Sequence, residues 1–103
     1  MTHPSLPADL LAVLASLEAP ADLDRVFSDL LSPAETETLR ERWAIIKRLD
    51  EGASQRVVAA EVGTSVTTVS RGARQLKYGE GGFRMALDRA ASLASAAAAE
   101  DAS

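Results

Sequence analysis

The chain has no cysteine and one histidine, His3. Without cysteine there is no disulfide framework, no zinc knuckle and no thiol chemistry. His3 lies in an N-terminal stretch expected to fray, and reads as a tail residue rather than a ligand or general base. Aromatic residues number four, glycines six and prolines four. No run approaches the ~20 apolar residues of a membrane span, and no basic-then-apolar signal pattern opens the chain. A cytoplasmic protein is expected. With no nucleophile–base pair and no metal-ligand cluster, enzymatic chemistry is not expected. Glu35, Glu37 and Glu41 read as helix-start and surface charges.

What is there is aliphatic and alanine-rich. Of 103 residues, 47% are hydrophobic, enough for one domain or one protomer of a small assembly. The formal net charge is −4, which argues against an anionic partner until its distribution is read. Residues 1–31 hold five acids and one base, and residues 80–103 hold four acids and two bases. Residues 32–79 hold six acids and eight bases. Between Ser54 and Gly79 the sole acid is Glu61, against Arg56, Arg71, Arg74 and Lys77. A local basic face on an acidic protein is compatible with phosphate binding, because the nearby field dominates. It is equally compatible with a solvated helix face.

Apolar spacing predicts six helices and no strand, an all-α chain. The first covers residues 6–18, and Pro20 breaks it. The second covers 21–31, with Leu23, Val26, Phe27, Leu30 and Leu31 on one side. Ser32, Pro33 and Glu35 form a strong start for a third, over 33–51, which Gly52 ends. Two short helices follow: Ser54 caps about 55–61, Gly63 turns the chain, and Thr64 or Ser65 caps about 66–77. Tyr78 to Gly82 interrupts, and a last helix runs from Phe83 into the alanines at 95–99. Glu100 to Ser103 are expected to fray.

Residues 54–77 fit a helix-turn-helix. Val58 and Val62 share a face, and Ala59 is small where a second helix crosses. Gly63 supplies the turn, and Val66, Val69, Ala73 and Leu76 make the buried stripe of the second helix. Its exposed leading turn is then Thr67, Thr68 and Ser70, with Arg74 nearby. Short hydroxylated side chains let a helix approach base edges, and its N-terminus favours phosphate. Sequence choice is assigned to the turn and leading turn, Thr64, Ser65, Val66, Thr67 and Ser70. Arg56 is a candidate phosphate or guanine contact, Gln55 a backbone or base contact, and Lys77 a phosphate contact. An ordinary helical hairpin with a threonine-rich face is the alternative.

Two residues do not fit these patterns. At about 100° per residue, Leu39, Trp43, Ile45, Ile46 and Leu49 form one apolar arc on the third helix, and Arg42 falls inside it. A charge there needs a partner, a polar cavity or a wet rim. On the fifth helix, Gly72 is an internal glycine costing about 1 kcal/mol against alanine. It aligns with Thr68 and Gln75 beside Arg71. Either Gly72 admits something flat, whose carboxylate Arg71 takes bidentately, or it relieves crowding between helices.

The segments LSPAE at 31–35, Arg42, EGASQRVVAAEVGTSVTTVSRG at 51–72 and LK at 76–77 resemble the Trp repressor family. The resemblance covers about residues 29–78. It implies a single domain over 1–103, an intertwined six-helix homodimer, with residues 1–31 as dimerisation helices and 83–98 as C-terminal helix. Two helix-turn-helix units would read the half-sites of a palindromic operator in double-stranded DNA, repressing transcription. A small amino-acid corepressor, L-tryptophan in the best-known members, would set their spacing.

By the same resemblance, Arg71 would grip the corepressor carboxylate and cover one indole face, with Arg42 on the other. Leu31 and Ser32 of the other subunit would meet the ammonium group, and Thr68 and Gly72 would form the pocket edge. The sequence departs from the tryptophan-binding pattern in three places: Gln75 replaces a serine near the ammonium, Asp29 replaces a leucine, and one residue is missing after Gly52. KYGEGGF at 77–83 resembles a second, shorter branch of the family. Dimerisation also has a physical argument, since short helices stacked thinly bury little core alone. A helical dimerisation or protein-interaction module, or a family member that binds DNA without tryptophan, are the alternatives.

Overall fold

A computed structural model describes residues 4–102, so His3 and Ser103 lie outside the described residues. Among these the chain is all helix, with six helices and no strand. They are α1 (Ala8–Ser16), α2 (Pro20–Leu30), α3 (Pro33–Asp50), α4 (Gln55–Val62), α5 (Val66–Tyr78) and α6 (Gly82–Ala102). Contacts group them into two compact units, Met1–Thr38 and Leu39–Ser103.

In the N-terminal unit, Pro20 does not merely interrupt. It occupies the first position of α2, where its missing N–H is no loss, and Ala19 before it is extended, as a following proline demands. Ser32 and Glu35 cap α3 reciprocally. The Glu35 N–H donates to Ser32 Oγ at 3.2 Å, and the Ser32 N–H donates to Glu35 Oε1 at 2.8 Å. That backbone bond holds the Glu35 carboxyl below its ordinary pKa. Neither α1 nor α2 contains a buried residue, although α1 is strongly apolar. Leu11, Val13 and Leu30 are all about half exposed.

The C-terminal unit holds the core. Ile45 of α3, Val58 and Ala59 of α4 and Val69 of α5 are buried together, with Leu49, Ala53 and Val62 packed against them. Gly52 ends α3 at φ 95°, with the Gly52 N–H donating to the Leu49 carbonyl and the Ala53 N–H to that of Arg48, a Schellman pair. Arg48 then ties α3 to α4 through a forked contact with Glu61, at 2.7 and 3.1 Å. Arg84 of α6 ties back to Asp50 at the end of α3, at 2.8 Å.

Two expectations change here. The segment from Glu100 to Ala102 is helical, because the alanine run has the highest intrinsic helix propensity and α6 continues through it. The apolar arc of α3 is only partly covered. Ile45 and Ile46 are buried, whereas Leu39 and Trp43 are 46% and 38% exposed, so the arc is wider than the surface packed against it.

Candidate nucleic-acid interface and ligand cleft

The α4–turn–α5 unit is built by its own hydrogen bonds. Ser54 caps α4 by accepting the Val57 N–H. Gly63 closes it in the left-handed region, at φ 79°, and the Gly63 and Thr64 amides both donate to the Ala59 carbonyl. Ser65 caps α5 by accepting the Thr68 N–H at 3.1 Å, and its hydroxyl also meets Thr68 Oγ1 at 2.9 Å. Ser70 donates its hydroxyl to Gln55 Oε1 at 2.5 Å, joining the start of α4 to α5.

Several predicted DNA contacts are therefore already engaged. Gln55 and Ser70 bond each other, and Ser65 and Thr68 are committed to the cap. Ser70, Thr68 and Thr64 are half-buried rather than fully presented. Val66 moves the other way. Its spacing puts it on the buried stripe with Val69, yet Val69 is fully buried and Val66 is 45% exposed, because Val66 opens the helix beyond the edge of the core. Thr67 is exposed and has no hydrogen-bond partner among the described residues.

The electrostatics favour an anionic partner. Arg48, from outside the segment, occupies Glu61, and its hydrogen bond holds that carboxyl below the usual range. Arg56, Arg71 and Arg74 are exposed and form no ion pair among the described residues. Their charge stays uncompensated. The Lys77 ammonium lies over the ring of Tyr78, 5.3 Å from its centroid, a cation–π contact that the sequence reading missed. Adjacency at the polar end of a helix was its only signal.

The predicted effector residues divide. Arg42 is neither buried nor partnered among the described residues. It is exposed on α3 beside Trp43 and one turn after Leu39, which are themselves 38% and 46% exposed. Gly72 does not face away from the core. A Cβ built on it would lie 2.9 Å from Cγ2 of Ile45, so the glycine relieves crowding where α5 crosses α3. Ile45, one turn after Arg42, is the residue the sequence reading left out of this site. Arg42 precedes Ile45 by three residues on α3 and Arg71 precedes Gly72 on α5; both are exposed and form no ion pair among the described residues.

Gln75 is turned toward the α5–α6 junction. A Cβ on Gly79 would meet its Nε2 at 2.6 Å, and it lines a small cleft with Glu80, Gly82 and Phe83. Leu31 and Ser32 belong to the N-terminal unit, Leu31 half-buried at the end of α2 and Ser32 as the cap of α3. Among the described residues no cluster of histidine, cysteine or carboxylate side chains could hold a metal, and no helix is long and apolar enough to cross a membrane.

Known proteins match this arrangement. The Trp repressor protein family matches over residues 8–91. An uncharacterized Bacillus subtilis (strain 168) protein, YerC, is 36% identical over 76 residues, covering 74% of this chain and 73% of its own. A Staphylococcus aureus crystal structure provisionally identified as a Trp repressor superposes with a TM-score of 0.72 at 30% identity, covering 79% of this chain and 81% of that one. The chain belongs to the Trp repressor family, whose members are DNA-binding regulators and not enzymes.

Proposed function

We propose that this protein is a homodimeric transcriptional repressor that reads a palindromic operator and answers to a small amino-acid corepressor, with L-tryptophan the first candidate. The observation that carries it is a helix-turn-helix closed by its own caps, whose cations Arg56, Arg71 and Arg74 are left without internal partners. Residues 1–103 then act as one functional domain in the cytoplasm. Dimerisation is supported by α1 and α2, in which no residue is fully buried, and by the exposed Leu39 and Trp43.

Control would be geometric. A ligand whose carboxylate is held by Arg71, with Arg42 opposite, sets the separation of the two reading helices and so shifts an existing equilibrium. Leu31 and Ser32 of the other subunit, with Thr68 and Gly72, complete the assigned pocket. One observation favours a second reading, a member that binds DNA without tryptophan: Gln75, which replaces a serine of the tryptophan-binding pattern, lies against Gly79 and lines the cleft at the α5–α6 junction.

A mobility-shift assay on the protein's own promoter region, with and without L-tryptophan, separates these. A shift strengthened by tryptophan supports the full proposal. An equal shift in both conditions leaves a DNA-binding regulator without that corepressor, and no shift removes the repressor. Light scattering that returned a folded monomer would remove the dimer.

A further inference from the structure

The leading turn of α5 has few groups free to read a base. Ser65 and Thr68 are spent on the cap, and Ser70 is spent on Gln55. What projects without an internal partner is Thr67 and, at the first residue of α5, the isopropyl group of Val66, 45% exposed. In this class of motif the N-terminal residues of the second helix meet base edges in the major groove. Every base there offers hydrogen-bonding atoms, and only thymine adds an apolar one, its 5-methyl group. An isopropyl group at that position has nothing else to gain from the groove.

We infer that Val66 is a specificity-determining residue, which selects a thymine in each half-site by packing on its 5-methyl group. Thr67 beside it keeps its hydroxyl for a phosphate or a bridging water. The inference rests on the DNA-binding reading and adds to it the identity of one base pair. Val69, three residues on, is fully buried and is not available for such a contact.

The test begins with duplexes selected from a randomised pool by the full-length protein. Each thymine of the selected site is then replaced by uracil, which removes the methyl group alone. Wild-type protein should lose about fourfold in affinity at one thymine per half-site, the value of one buried methyl-sized group. Val66→Ala, with its helicity checked by circular dichroism, should bind more weakly and be indifferent to that replacement. Val66→Thr, which keeps one methyl, should retain part of the preference. Uracil tolerated by the wild type at every thymine overturns the inference even if Val66→Ala does not fold, and so does an equal loss for wild type and Val66→Ala. A pool that enriches no sequence overturns the DNA-reading proposal and this inference with it.

Discussion

Gly72 of α5 lies against Ile45 of α3 so closely that a Cβ on the glycine would sit 2.9 Å from the isoleucine's Cγ2. Ile45 is 1% exposed and β-branched, so that methyl moves only if the whole side chain leaves its rotamer. This contact sets how closely α5 can approach α3 at that point.

Gly72→Ala should therefore destabilise the fold, although alanine is the better helix former by about 1 kcal/mol. Overpacking costs typically about 1–3 kcal/mol and should outweigh that gain. Urea denaturation reads the effect. In an Ile45→Leu background, which removes Cγ2, the same substitution should cost much less. Equal costs in both backgrounds would show that the contact is not the cause.

Arg71→Ala and Arg42→Ala should keep the fold, since both side chains are exposed and unpaired among the described residues. Calorimetric titration with the twenty amino acids should show binding to the wild type and its loss in Arg71→Ala, while circular dichroism stays unchanged. Undiminished binding by Arg71→Ala would place the effector elsewhere.

Affinity for DNA should fall linearly with salt on logarithmic axes, as counterions are released. Arg56→Ala and Lys77→Ala should each lower the slope by about one and weaken binding evenly across sequences. A slope unchanged in both would leave their charges without a phosphate partner.

Stability should decline on the acid side. Hydrogen bonds from Arg84 to Asp50 and from Arg48 to Glu61 hold both carboxyls below their ordinary values of 3.8 and 4.5. A depressed folded pKa means that the stabilisation is whole above the unfolded value and lost as pH falls through the folded one. Urea midpoints should fall as pH drops below those ordinary values, and Arg48→Met should flatten the decline by removing the Glu61 contribution. Because these pairs are well exposed, the effect should be modest and should shrink in high salt. An identical pH profile in the variant would discount the Arg48–Glu61 pair.

Local rules made much of this protein readable from its residues. Ser32, Ser54 and Ser65 announce helix starts, because a short hydroxyl before a helix takes an otherwise orphaned N–H. Gly52 and Gly63 announce the ends, because each adopts a positive φ that other residues resist. Val58, Ala59 and Val69 could be placed in the core from spacing alone. All-helical class, helix order and a basic reading unit follow from such signals within a few residues of chain.

What the tertiary structure decided depends on residues far apart. That Gly72 makes room for Ile45, that Gln55 engages Ser70, and that Glu61 is taken by Arg48 are facts about pairs separated by 13 residues or more. A helical plot assigns each residue an angle, but not the neighbour that arrives there. For the same reason it put Val66 in the core and left Arg42 without a resolved place. Periodicity ranks the faces of a helix; only packing shows where the cover stops, and here it stops short of both residues.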